Sequence, residues 1–307
     1  MRVLVTGGAG FIGSHVVERL LRAGHAVVAL DNLSSGRREN LPSDCPLLVL
    51  DLRDAALAET VERLAPRALL HFAAQIDLRR SLEDPLGDAE ENIVGSLRLL
   101  EAAVAAGAEH FVFASSGGAI YGEALAPQDE AHREAPLSPY GVAKLAVDKY
   151  LDVYARQGRL ATCSLRLSNV YGPRQADLGE AGVVAVFARR LAAGQPLRVH
   201  GDGGQTRDFL FVDDVAALAE RVIAGRATGV FNAGTGVETS IARLAERMSA
   251  LAGGGGIEAA PPVAGEQRRS VLDPGKAASE LGWRASTALD DGLARTIDWF
   301  AKPRVAR

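Results

Sequence analysis

The first thirteen residues constrain the fold of this chain more than any other segment. Arg2-Val-Leu-Val-Thr6 is an apolar run of strand length. It leads without a spacer into Gly7-Gly8-Ala9-Gly10-Phe11-Ile12-Gly13, and residues 11–23 then read as a helix ending before Gly24. A buried strand, a glycine turn and a helix in direct succession open a parallel βαβ unit. Glycine triplets arise by chance in a chain with 33 glycines, but Gly7, Gly10 and Gly13 (G-x-x-G-x-x-G) stand between a strand and a helix. There they permit a tight turn, let backbone approach a pyrophosphate, and aim the helix N-terminus at the anion. Asp31 ends the second apolar run, 18 residues after Gly13. A carboxylate at that place accepts hydrogen bonds from both adenosine ribose hydroxyls and repels a 2′-phosphate, so the expected cofactor is NAD rather than NADP. Arg37 and Arg38, close behind, argue the other way.

The same alternation continues. Strands are expected at 26–31, 46–50, 68–72, 110–114 and 161–167. Helices are expected at 54–64 with Asp54 as cap, at 86–106 up to Gly107, and at 138–157 with Ser138 as N-cap and Pro139 in the first turn. Apolar strands between helices make an α/β, doubly wound parallel sheet of Rossmann type. After residue 170 the rhythm breaks into loops with short helices near 213–224, 239–251 and 289–300. The expected organisation is a dinucleotide-binding domain over 1–170 and a smaller α+β substrate lobe over 171–307. Strand 230–232, and the segment near 213–235 around it, is expected to return to the main sheet.

Composition removes several function classes. Of 307 residues 48% are hydrophobic and 23% charged, which excludes disordered, collagenous and disulfide-scaffold chains. A net charge of −4 gives no basic footprint for nucleic acid or an anionic membrane. The opening has no signal-peptide h-region and no stretch approaches the length of a membrane span, so a cytoplasmic location is expected. Cys45 and Cys163 then read as reduced thiols. His15, His25, His71, His110, His132 and His200 form no ligand spacing, and no metal is expected.

Only four of the 34 basic residues are lysines: Lys144, Lys149, Lys276 and Lys302. Against that scarcity, and with five tyrosines in all, Tyr140-x-x-x-Lys144 is not a spacing expected from chance. Its i, i+4 separation at the start of a helix stacks both side chains on one face. A phenol with pKa near ~10 is a poor base at neutral pH. A neighbouring ammonium and an oxidised nicotinamide favour the phenolate. A lysine ammonium can also reach a nicotinamide ribose where an arginine fork cannot.

Thr6 to Gly13, Asp31, Tyr140-x-x-x-Lys144 and Arg207-Asp208 together resemble the extended short-chain dehydrogenase/reductase family over essentially the whole chain. Within it the sequence is most similar to the bacterial UDP-glucose/UDP-galactose 4-epimerases. That similarity is carried by Phe72-Ala73-Ala74-Gln75, Ser115-Ser116-Gly117-Gly118-Ala119-Ile120-Tyr121-Gly122, Asn169-Val-Tyr-Gly-Pro-Arg174-Gln175, the segment from Gly179 to Val184, and Gly201 to Asp208. The resemblance implies NAD contacts from Gly7, Gly10, Phe11, Ile12, Gly13, Asp31, Asn32, Phe72, Ala73, Ala74, Gln75, Asn92, Ser115, Tyr140 and Lys144. Asp51 and Leu52 are added as contacts to the adenine edge, though Asp51 also reads as a helix cap, and Asn92 also reads as a polar residue packed between helices. Tyr140 is the implied acid/base at sugar O4, assisted by Lys144. The implied substrate contacts are Ser116, Tyr140, Asn169, Val184, Arg207 and Glu266.

The reaction follows from what is missing. A 4,6-dehydratase needs acid/base residues before Tyr121-Gly122, and this chain has Gly118 and Ala119 there. The 4-keto sugar can then only turn over and be reduced from its other face, which is epimerisation. Three departures from the family pattern stand out. Gly117 occupies the usual Ser/Thr position, so the hydroxyl role passes to Ser116. Val263 replaces a phosphate-binding arginine, with Arg268 or Arg269 as substitutes. Ser270 takes the place of a bulky residue, which leaves room for UDP-N-acetylhexosamines. UDP-glucuronate is left open as a further epimerase substrate, and a non-catalytic NAD sensor as a second class of function. Relatives pair the helices near 86–106 and 138–157 into a homodimer, with Val147, Leu151 and Tyr154 expected on that face.

Overall fold

The computed structural model describes residues 1–123, 127–175, 182–263, 265 and 267–302. Strands that are apolar on both faces need helices on both sides, and the chain supplies them. The main sheet has seven parallel strands in the order Gly229–Ala233, Ala161–Leu167, His110–Ser116, Ala68–His71, Arg2–Thr6, Ala26–Asp31, Leu47–Val49. On one face Val16, Val17 and Leu20 of helix Phe11–Arg22 meet Val215, Leu218 and Val222 of helix Val212–Gly225. On the other, helices Leu57–Leu64, Gly95–Ala105 and Pro139–Arg156 pack Val61, Leu99, Leu100, Val147 and Leu151 against Leu4, Leu69 and Phe111. The strand order reverses direction between Arg2–Thr6 and Ala68–His71. Their C-terminal loops, 7–10 and 72–75, therefore diverge around a crevice, the usual ligand site of such sheets.

The remaining chain builds a second core. Strand Thr206–Phe211 pairs antiparallel with Glu238–Ser240 and parallel with Arg269–Ser270 and Asn169–Tyr171. Strands Leu197–His200 and Ile257–Ala260 form a separate parallel pair. Helices Val183–Ala192, Ile241–Leu251 and Leu289–Ala301 bury Phe187, Leu244, Met248, Leu293 and Phe300 against them. Strand Gly229–Ala233 takes the end position of the main sheet beside Ala161–Leu167.

Several elements differ from the sequence expectation for identifiable reasons. The helix expected over 54–64 begins at Leu57, because the Asp54 carboxylate closes a turn onto the N–H of Ala56 instead of capping. The long helix expected over 86–106 starts at Pro85, capped by Asp84, and widens over Glu90–Val94 into a π-turn. Val147, Leu151 and Tyr154 do not form an intermolecular face. They share the helical phase of Tyr140 and Lys144 and are buried against the sheet. The exposed stripe of that helix carries Val142, Tyr150 and Val153 instead. Among the described residues no helix is long and apolar enough to cross a membrane.

Candidate active site

The crevice floor requires its glycines. Gly7 has φ +65°, and a Cβ there would lie 2.5 Å from the backbone nitrogen of Ala73. A Cβ on Gly13 would stand 2.1 Å from the carbonyl oxygen of Gly7. Gly10 caps helix Phe11–Arg22 without a side-chain hydrogen bond. The first-turn N–H groups, those of Phe11, Ile12 and Gly13, have no partner within the helix and suit an anion. Asp31, buried at the end of its strand, accepts from the N–H of Ala9 (3.0 Å) and Leu33 (2.8 Å). Burial pushes its carboxyl up from the usual range, and those N–H bonds pull it back. Two oxygens offer about four acceptor sites, so capacity for a ribose diol remains. Arg38 is folded onto the carbonyls of Pro42 and Ser43 (3.0 and 2.8 Å), its guanidinium hydrogen-bonded to its own loop. A cradle that a Cβ would fill, beside a carboxylate in ribose position, fits NAD.

The periphery of that cradle is tied together. Asp51 receives a bidentate pair from Arg53 (2.8 and 2.9 Å) and the Asn32 amide (2.8 Å), and the guanidinium holds its carboxyl far below the usual range. Asp51 therefore caps no helix. Leu52 packs at the turn beside Gly95. In the loop Phe72–Gln75, the backbone of Phe72 and Ala73 lies against Gly7, with Ala74 half-buried next to them. Gln75 and Asn92 are paired twice: the N–H of Gln75 donates to Oδ1 of Asn92, and Nδ2 of Asn92 donates to the carbonyl of Gln75, both at 2.9 Å. Asn92 thus holds the loop Phe72–Gln75 through its own amide.

Tyr140 and Lys144 occupy the first two turns of helix Pro139–Arg156, set by Ser138, whose hydroxyl accepts from the N–H of Gly141. Lys144 is buried, donates to the carbonyl of Ala114 at 2.8 Å, and lies 5.7 Å from the Tyr140 ring centroid. Desolvation pushes its ammonium down to about 8, opposed by the charges of Asp148 and Asp88. The Tyr140 phenol is pushed up by burial and by Asp88, and drawn down by a hydrogen bond with Ser116. The structure thus brings Ser116 to the tyrosine. Ser115 differs: its hydroxyl is buried near the Asp148 carboxylate and makes no hydrogen bond among the described residues. Gly117 cannot carry the expected hydroxyl, because its Cβ would lie 2.6 and 2.7 Å from the methyls of buried Leu272.

Beyond this triad, Gly118, Asn169 and Ser270 converge: a Cβ on Gly118 would lie 3.6 Å from the Ser270 hydroxyl and 4.0 Å from Oδ1 of Asn169. That Asn169 oxygen is buried and has no hydrogen-bond partner, an acceptor aimed into the site. Arg207 stands on strand Thr206–Phe211 and donates to the carbonyl of Thr206, while the neighbouring Asp208 turns inward to Thr235, Gly236 and Leu272. Val184 belongs to the lobe core with its side chain wholly buried, which leaves its backbone as the part available to a ligand. Glu266 lies outside the described residues. The two arginines expected to replace the one missing at Val263 are both paired: Arg268 with Asp202 (2.9 and 3.1 Å) and Arg269 with Glu238.

Residues 3–234 match the NAD dependent epimerase/dehydratase family. The chain belongs to that family. A UDP-glucose 4-epimerase of Mycolicibacterium smegmatis is 46% identical over 312 residues, with 98% of each chain covered. The UDP-glucose 4-epimerase of Thermus thermophilus, solved with NAD, superposes with a TM-score of 0.93 at 43% identity, covering 98% of this chain and 99% of that one. The Thermotoga maritima UDP-glucose 4-epimerase, solved with UDP-glucose, gives 0.91 at 41% identity and 98% of both chains.

Two residues of the site escaped the sequence reading. Asp88, four positions before Asn92, and Asp148, four after Lys144, each complete an i, i+4 face that already carried a marked residue, and that spacing was the available signal.

Proposed function

We propose that this chain is an NAD-dependent 4-epimerase that interconverts UDP-glucose and UDP-galactose. The observation that carries the reading is the half-buried Tyr140 over the buried Lys144, with Ser116 at the phenol, next to a Gly118-Ala119 segment that cannot move protons. When bound, NAD supplies the chemistry of removing hydrogen from sugar C4 and returning it to the opposite face. Tyr140 takes the O4 proton and gives it back. Lys144, as ammonium, favours the phenolate, and Ser116 holds the phenol oxygen by a hydrogen bond. Asn169 and Arg207 are suited to anchor the diphosphate while the sugar turns about it. Between the two faces the ketone has no acid/base pair at 118–119 to expel water, so reduction is the remaining exit.

Finer points belong to the same proposal. Two buried free thiols, Cys45 and Cys163, support a reducing, cytoplasmic setting. The exposed apolar residues Val142, Tyr150 and Val153, with Leu82 and Leu86 on the helices packed beside them, support a homodimer formed across that face. Separate incubations with UDP-galactose, UDP-N-acetylgalactosamine and UDP-glucuronate, followed by NMR at C4, test the function. Conversion of UDP-galactose is the expected result. No turnover on any of the three, with NAD still bound, overturns the proposal.

A further inference from the structure

Asp88 is a buried carboxylate that none of the chemistry above uses. It sits on the short helix Pro85–Ala89, which packs on the helix carrying Tyr140 and Lys144. Its Oδ1 accepts from Nε2 of Gln75 (3.0 Å) and from Nδ2 of Asn92 (2.9 Å). Those donors leave the Asn92 oxygen to the N–H of Gln75, so the carboxylate sets the Asn92 amide, while the Gln75 amide is held jointly by Asp88 and by the backbone N–H and carbonyl of Asp77. Asn92 stands on the π-turn Glu90–Val94, and its amide meets that of Gln75 on the same Asp88 oxygen. A buried carboxylate held by two neutral amides costs desolvation that an asparagine or leucine would avoid, and it stands within charge reach of the reacting groups.

We propose that Asp88 is a positioning residue of the reaction: its carboxylate holds the Gln75–Asn92 amide pair and supplies a negative charge beside Tyr140 and Lys144. The inference rests on the epimerase reading above. The charges around these groups can be assigned. Glu91 faces Asp88 from the π-turn and is itself ion-paired with Arg80 and Arg53. Lys144 faces Asp88 from one side, Asp148 from its own helix and His71 from the sheet. Asp148 is neutralised by Arg166 at 2.9 Å, and His71 is held neutral by burial, its imidazole pushed down to about 3. Asp88 is the one of these carboxylates that acts on both the Tyr140 phenol and the Lys144 ammonium, whereas Asp148 acts, ahead of Asp88, on Lys144 alone. A negative neighbour makes each of them a weaker acid, and its removal lets both lose protons at lower pH.

Two variants separate the roles. Asp88→Asn keeps an Oδ1 acceptor for both amides and removes the charge; Asp88→Ala removes both. Asp88→Asn is expected to retain NAD, with its kcat–pH profile displaced to lower pH by about one unit on both limbs. Asp88→Ala is expected to show the same displacement and to lose NAD faster on dilution. Ultraviolet difference titration of the NAD-loaded protein, with Tyr140→Phe as blank, reads the same shift in the phenol without turnover. A profile and titration that do not move in Asp88→Asn overturn the proposal, whatever Asp88→Ala does to stability. If the wild-type chain fails to epimerise any UDP-sugar, the functional reading falls, and the titration still decides the place of Asp88.

Discussion

Position 117 shows how a site departs from its family pattern for a packing reason. Leu272 fills the space a side chain at 117 would need, so the hydroxyl comes from the preceding residue. Gly117→Ser is therefore expected to destabilise by about 1–3 kcal/mol through overpacking, measured by thermal unfolding, and the double variant with Leu272→Ala should lose less than the sum of the two single variants. Ser116→Ala removes a hydrogen bond to the phenolate, and at about 1.5–3 kcal/mol for such a bond kcat should fall at least about tenfold with NAD retained. The Lys144 ammonium, pushed down to about 8 by desolvation, carries its charge below that pH and loses it above. The kcat profile should consequently fall as pH rises through about 8, and a profile flat across that region would contradict the role given to Lys144. The pair itself was legible from lysine scarcity and spacing. The part played by Leu272 was not, because it lies 155 positions away and touches Gly117 only in the fold.

At the scale of elements, the helix Pro139–Arg156 was readable from Ser138-Pro139 alone, since cap and first-turn chemistry are local. The turn at 7–13 and the strand–helix alternation to residue 167 were readable for the same reason. Helix Val183–Ala192 and strands such as Glu238–Ser240 were not, because they are short and acquire their partners from distant sequence. The π-turn at Glu90–Val94 was hidden too, as its sequence also suits an ordinary helix. Capping is where an element can be tested. Ser138→Ala leaves the Gly141 N–H without its acceptor and should cost about 1 kcal/mol in thermal unfolding. Because Tyr140 stands two residues past that cap, kcat should drop as well; a stability loss with unchanged kcat would show that the cap does not aim the tyrosine.

For the whole molecule, the lesson lies in helical phase. The stripe Tyr140, Lys144, Val147, Leu151, Tyr154 has one direction, and once the first two must meet the end of the sheet the other three are committed to the core. Apolar residues left on the opposite stripe have no such use within one chain. Val142 and Val153 are about half exposed, and Leu82 and Leu86 on the neighbouring helices more so. A two-fold pairing of these faces has to bury roughly 1,200–2,000 Å² in all to hold a stable dimer. Sedimentation equilibrium should accordingly find twice the chain mass. Val142→Glu combined with Val153→Glu should give monomers whose unfolding temperature, once separated, matches that expected for surface changes of less than about 0.5 kcal/mol. A wild-type chain that sediments as a monomer, or a double variant that stays paired, would place the interface elsewhere. Since Tyr140 and Val142 ride on one helix, loss of the partner should also be read in kcat: a monomer as active as the dimer would mean that the sheet and the Ser138 cap alone hold the catalytic helix in place.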